Sequence, residues 1–262
     1  MRIKFSFQNQ IFLAILIYRE SSGVLLCYNS RIEQKQGLVL FMKVLCVHHK
    51  GGVGKTTTAI HVTGVFVGNG FKTLLIDGDS QADSFKFFSE GSFPKPKGEH
   101  LTLQEGMLTV VSERDDKNPT RLATSIGKVA NDKSFQHIVV DIATDLPNIF
   151  NILFEVKPDL VLLGVKRDDI GSFVHLNDML LALKQASPVI GSPVRVKVLP
   201  IGVEQADFKK YVDNDFSDYE VLKPVDWIPT EAGTAVFINY DYLWNAPGYE
   251  HLWEYYKQAV ME

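Results

Sequence analysis

Residues 44–58 read Val-Leu-Cys-Val-His-His-Lys-Gly-Gly-Val-Gly-Lys-Thr-Thr-Thr, and the order of residue types in this run decides the fold. Four β-favouring residues enter a glycine-rich turn, and the turn enters a segment with helical spacing of apolar side chains. A strand, a loop and a helix N-terminus in that order aim backbone N–H groups at an anion, and phosphate is the anion such a geometry suits. Gly51, Gly52 and Gly54 lack a Cβ, so the main chain can close tightly round it. Lys55 brings a mobile positive charge to the terminal phosphates, and the Thr56 hydroxyl stands where Mg2+ is ligated. The stretch reads as a cradle for a nucleoside triphosphate.

Counted back from Gly54-Lys55-Thr56, the common pattern G-x-x-x-x-G-K-[ST] needs a glycine where His49 stands. The first glycine arrives instead at Gly51, with a second lysine, Lys50, just ahead of it. The run Lys50-Gly51-Gly52-Val53-Gly54-Lys55-Thr56-Thr57 resembles the deviant Walker A box of the ParA/MinD family of positioning ATPases. The resemblance implies that Gly51, Gly52, Val53, Gly54, Lys55, Thr56 and Thr57 contact ATP. It also makes Lys50 the signature lysine, which reaches the nucleotide of a partner subunit when two protomers sandwich two ATP molecules. Motif support runs from Met42 to Asp141 and thins beyond.

Residues 73–77 form a second apolar strand that closes in Asp77-Gly78-Asp79-Ser80-Gln81. Two carboxylates one residue apart at the C-terminal end of a strand stand where metal and attacking water are expected in an open α/β sheet. An acidic turn is the plain alternative. The family's D-x-D-P-Q element matches Asp77, Asp79 and Gln81, with Ser80 in the place of proline. By that resemblance Asp79 orients the attacking water and Asp77 supports the Mg2+ shell. Residues 136–142, Q-H-I-V-V-D-I, have the form of a Walker B strand, whose Asp141 would hold Mg2+. Beyond it the family's D-x-P-P gives way to Asp141-Ile142-Ala143-Thr144-Asp145-Leu146-Pro147.

The remaining periodicities predict helices over 55–67, 120–131, 170–185, 206–212 and 248–261. Further strands are expected over 107–111, 159–165, 194–203 and 225–229, and a Gly/Pro/Lys-rich surface loop over 89–105. At least five strands alternating with helices argue for an α/β fold, a mostly parallel, doubly wound sheet with the ligand at the C-terminal strand ends. In the resembled family the turn after the last strand borders adenine, which makes Pro229 and Thr230 candidates. His48 and His49 lie at the strand tip in a packing or solvated role, with phosphate contact as the alternative.

Composition bounds the rest. An apolar fraction of 45% and a charged fraction of 22% are those of an ordinary soluble globular chain. Cys27 and Cys46 cannot assemble a zinc or cluster ligand set within one chain, and Cys46 falls inside a strand as a small hydrophobe. Two cysteines fit a reducing, cytoplasmic setting. The net charge of −4 excludes a globally basic nucleic-acid binder. Any DNA contact falls to a local patch, for which Lys166-Arg167 and Lys209-Lys210 are the candidates against a plain solvated face. Residues 1–41 differ from the rest. They carry an apolar run of eight, residues 11–18, far short of the roughly 20 that a membrane helix needs. Met42 stands directly before the first strand, so residues 1–41 read as an extension arising from an upstream start, or as an appended strand or hairpin, and residues 42–262 as one nucleotide-binding domain.

Function, as the resemblance implies it, is slow, partner-stimulated hydrolysis of Mg2+-bound ATP to ADP and phosphate, coupled to homodimerisation. Such a cycle positions a plasmid, chromosome region or other cargo with a ParB-type adaptor, with non-specific DNA as a further partner and the nucleoid as a setting. An iron-sulfur reductase of the related nitrogenase iron-protein group would need cysteines that are missing. A MinD-like membrane regulator would need a basic amphipathic tail, whereas the last helix carries Glu250, Glu254 and Glu262 against Lys257, so no membrane contact is expected. A biosynthetic ATP-dependent ligase of the same fold, or a nucleotide-gated binding module with negligible turnover, stays open on sequence alone.

Overall fold

The computed structural model describes residues 41–48, 51–95, 98–114, 118–167, 170–191, 194–212, 219–226 and 228–262. The expectation for an N-terminal extension therefore lies outside the described residues, apart from Phe41. Strand β1 (Met42–Val47) leads through the glycine loop into helix α1 (Lys55–Gly68), then β2 (Thr73–Asp77), α2 (Asp83–Phe88), β3 (Glu99–Leu103) and β4 (Leu108–Ser112). There follow α3 (Pro119–Val129), β5 (His137–Ile142), α4 (Leu146–Val156), β6 (Leu160–Lys166) and α5 (Ile170–Ile190). The chain closes with β7 (Arg195–Ile201), α6 (Gln205–Tyr211), β8 (Glu220–Val221), α7 (Thr230–Asn239) and α8 (Leu252–Met261).

The eight strands make one sheet in the order β3-β4-β2-β5-β1-β6-β7-β8, parallel throughout except for the β3–β4 edge. β1 lies between β5 and β6, and from Val44 to Val47 it is buried on both faces, which is why that stretch is continuously apolar rather than alternating. Leu45 and Val47 face a core covered by α3, α4, α5 and α6, while Val44 and Cys46 face one covered by α1, α2, α7 and α8. Each fully buried Val or Leu contributes on the order of 1.5–3 kcal/mol, so the end of β1 is a firm anchor for the loop that follows it.

Several sequence expectations need correction. Residues 89–105 are not all loop, because residues 99–103 pair antiparallel with β4 as an edge strand. The E-H-L-T-L alternation that half-buries Leu101 and Leu103 was masked by the Pro-Lys run before it. The strand expected over 225–229 is reduced among the described residues to a single bridge from Val225 to Ile201, and the last strand among them is the two-residue β8. Pro229 instead starts α7, its carbonyl accepting the Gly233 N–H at 3.0 Å. α5 runs on past residue 185 through Pro188 in its last turn. Helices α2, α4 and α7 are additional. α4 carried a legible signal, Asp145-Leu146-Pro147-Asn148, in which the Asp145 side chain caps the Asn148 N–H at 3.2 Å and proline occupies the first turn.

The C-terminal segment is seated on α1 by small residues and one histidine. A Cβ on Gly64 would meet Tyr242 at 2.5 Å, and one on Gly68 would meet Trp253 at 2.6 Å, so only glycine leaves room for these rings. Between them His61 is fully buried against Tyr242, Trp244 and Tyr256. Its Nδ1–H donates to the Thr57 carbonyl at 2.7 Å, and its Nε2 accepts the Leu243 N–H at 2.9 Å. These partners fix the neutral tautomer, since a second ring proton would point at an N–H donor. Burial accordingly pushes the imidazole down from 6.5 to about 4, against the opposing pull of the Thr57 carbonyl.

The folded pKa is below the unfolded one, so the His61 contribution is fully present above about pH 6.5 and is lost as pH falls toward 4. The loss is on the order of 3 kcal/mol. Urea unfolding of the parent and of His61→Asn should therefore differ most near pH 7, the gap narrowing by that order at pH 4. A gap that does not change with pH contradicts the neutral-histidine assignment.

Candidate functional site

The glycine loop leaves β1 and enters α1 through Gly54, whose φ of 85° is in the left-handed region that a side chain disfavours. Gly54 offers no side chain to cap the helix N-terminus and no acidic residue stands in its first turn, which leaves the amides there to another partner. Within the run, Gly51 and Gly52 are exposed, Val53 is buried, Lys55 is buried at 8% exposure, and Thr56 and Thr57 are half-buried. His48 is wholly buried rather than solvated. His49 and Lys50, the expected signature lysine among them, lie outside the described residues.

A residue outside the motif leaves this loop the room it needs. Gly164 in β6 faces the Val53 carbonyl so closely that a Cβ there would come within 2.3 Å of the oxygen. The neighbour is backbone, so nothing soft can yield. A lone glycine in an apolar strand signals a close backbone approach in general, though not which backbone.

Parallel pairing of β2 with β5 sets Asp77 directly opposite Asp141, and pairing of β1 with β5 sets Cys46 beside the same Asp141. Both carboxylates are completely buried. Burial first, and then the neighbouring Asp141, raise Asp77 well above the usual carboxylate range. Its Oδ1 accepts the Asp79 N–H at 3.0 Å and its Oδ2 accepts the Phe85 N–H at 2.8 Å. The residue expected to support a metal shell thus has both oxygens on backbone amides and shapes the 78–85 segment. Burial also pushes Asp141 up to about 6, with the Ser84 and Thr56 hydroxyls and the Lys55 ammonium drawing it down and Asp79 raising it. Ser84 Oγ donates to Asp141 Oδ2 at 2.6 Å, while Oδ1 is buried with no hydrogen-bond partner among the described residues. Ser84 is a site residue that sequence reasoning missed, because D-S-F-K-F-F after the acidic turn carries no distinguishing pattern.

Asp79 is half-buried, and its Oδ1 accepts the Gln81 N–H at 3.0 Å. Lys55 lies within the field of both Asp141 and Asp79, which oppose the lowering that burial imposes on its ammonium. The expected residues Lys55, Thr56, Asp79 and Asp141 therefore meet at the C-terminal ends of β1, β2 and β5. Val225 is bridged to Ile201, whose side chain stands 3.5 Å from a Cβ placed on Gly54, while Pro229 is half-buried at the start of α7.

An orphaned buried carboxylate oxygen beside a threonine hydroxyl and an anion-binding loop suits a hard divalent cation. Among the described residues no cluster of three His, Cys, Asp or Glu side chains could hold a metal unaided. Mg2+ fits here in company with phosphate oxygens and water, which is its habit.

Residues 42–153 match a family model described as an AAA domain. A search of curated proteins found no match. Solved structures resemble the chain over most of its length. Apo McdA from Cyanothece is 14% identical, with a TM-score of 0.64, covering 84% of this chain and 99% of that one. MinD from Pyrococcus horikoshii, solved as a complex with Mg-ADP, is 14% identical with a TM-score of 0.62, covering 84% and 96%. A plasmid partition protein from Borrelia burgdorferi is 15% identical with a TM-score of 0.54, covering 84% and 99%. The fold is that of MinD and ParA-like P-loop NTPases.

Gly164→Ala must push the Val53 carbonyl aside and should cost about 1–3 kcal/mol in urea unfolding, as overpacking does. Gly51→Ala, with nothing within 4 Å of the added Cβ, should cost under about 0.5 kcal/mol. Equal costs would remove the close-approach explanation.

Proposed function

We propose that this chain is a P-loop ATPase of the ParA/MinD type, which hydrolyses ATP slowly and uses the cycle to position a cargo. The observation that carries the reading is the buried Asp77–Asp141 pair beside the glycine loop, with one Asp141 oxygen unpartnered. Loop amides of residues 51–57 would bind the phosphates, and Lys55 would offset their charge. Thr56 and Asp141 would hold Mg2+, which when bound neutralises charge developing on the phosphoryl oxygens. Asp77 acts on that shell from behind, through the amides it fixes. Asp79, with Oδ1 turned to Gln81, keeps Oδ2 for orienting the attacking water. Pro229 stands as the candidate neighbour of adenine.

Lys50 would complete the nucleotide site of a second protomer, so that ATP joins two copies and hydrolysis releases them. The cargo is a plasmid, chromosome region or comparable body, engaged through an adaptor of ParB type that stimulates turnover, and non-specific DNA is the surface on which the dimer would travel. The relatives named above include a plasmid partition protein, which supports this class. Among the described residues no helix is long and apolar enough to cross a membrane.

Phosphate release from Mg·ATP, measured with and without DNA and candidate adaptor, tests the reading together with Asp79→Ala. The variant should bind ATP and dimerise like the parent while turning over at least about 100-fold more slowly. Equal turnover would remove the water-orienting role.

A further inference from the structure

Beyond the residues already placed, one buried cation stands next to the site without a part in it. Arg114 follows β4, is only 9% exposed, and uses its guanidinium to join three separate stretches of chain. Nε donates to Ser112 Oγ at 3.2 Å, Nη1 to the Ser80 carbonyl at 3.2 Å, and Nη2 to the Pro94 carbonyl at 2.8 Å. The Phe93 ring lies over the guanidinium, 4.5 Å from Cζ to ring centroid. Its neighbour Glu113 ties the same strand end to β2, donating its N–H to the Asp77 carbonyl at 2.8 Å.

The Ser80 carbonyl and the Gln81 N–H belong to one peptide unit. Arg114 holds the oxygen of that unit, and Asp79 Oδ1 accepts its N–H at 3.0 Å. A peptide plane fixed at its oxygen presents its N–H in one direction, and that N–H sets which way the Asp79 carboxylate turns. On the other side, Asp77 fixes the Asp79 N–H. We propose that Arg114 is a positioning residue for hydrolysis: it locks the Ser80–Gln81 peptide and through it aims Asp79, an inference that rests on the water-orienting role given to Asp79 above.

The planar fork is needed because three acceptors lie in different directions around one group, which an ammonium at the end of a lysine cannot reproduce. Ser80 is exposed, so its carbonyl can turn to water when the guanidinium is lost. What is lost is aim rather than the fold at that point, and misplacement of a reacting group by about 1 Å costs about 100-fold in rate.

Arg114→Lys and Arg114→Ala should each lower kcat about 10- to 100-fold while the Kd for Mg·ATP, measured by equilibrium binding, stays within about 2-fold. Adding Arg114→Lys to Asp79→Ala should lower kcat no further, because both changes remove the same act. Amide exchange at Gln81 should quicken in Arg114→Lys while exchange at Phe85, held by Asp77, does not. An unchanged kcat overturns the proposal, as does a fall in kcat matched by equal losses of ATP affinity and urea stability, or a full additional loss in the double variant. Should the parent release no phosphate, the functional reading fails by itself, and unchanged Gln81 exchange in Arg114→Lys would separately overturn the peptide lock.

Discussion

Two carboxylates buried side by side, Asp77 and Asp141, are the constraint around which the rest of the molecule is arranged. Like charges out of water repel strongly and lose their hydration, so such a pair persists only where other groups compensate. Asp77 is compensated by two backbone amides, Asp141 by the Ser84 and Thr56 hydroxyls and the Lys55 ammonium. Compensation stops one oxygen short, at Asp141 Oδ1. The fold therefore carries an unmet demand for positive charge at the point where the glycine loop offers an anion its amides. Cation and phosphate answer these two demands together better than either does alone.

The same bonds join the elements that a nucleotide cycle would have to coordinate. The first residues of α2 reach both carboxylates, Ser84 to Asp141 and the Phe85 amide to Asp77, so the segment bearing Asp79 is strung between two strand ends. Arg114 fastens its outer side. On the opposite flank, His61 joins the first turn of α1 to the aromatic cluster of the C-terminal segment. A helix tied down at its first turn thus adjoins a shorter segment held by a few nameable contacts, the kind of element whose position one ligand can bias.

The architecture was legible because the two strongest signals, a continuous apolar strand and a glycine-lysine-threonine turn, are local. Residues 44–58 announce a strand, loop and helix without reference to anything distant, and the strand-ending Asp77 and Asp141 could be placed once a parallel sheet was assumed. What could not be read depends on contacts across space. Ser84, Gly164 and Arg114 matter through partners 57, 111 and 34 positions away, namely Asp141, Val53 and Ser80, and nothing in their neighbouring residues names those partners. The edge strand at 99–103 and the false strand at 225–229 failed for a related reason. Marginal strands take their state from the sheet edge they meet, not from their own propensity. The place of Asp77 at a strand end was legible, but its use of both oxygens on backbone amides was not.

Calorimetric titration of ATP, with Mg2+ and with EDTA in its place, on the parent and on Asp141→Asn, tests the central claim most directly. Magnesium should tighten ATP binding to the parent at least about 10-fold, equivalent to 1.4 kcal/mol, and Asp141→Asn should lose most of that gain. ATP bound equally well without magnesium, or an Asn variant as responsive to magnesium as the parent, would contradict the claim that the buried carboxylate pair is a half-built cation site.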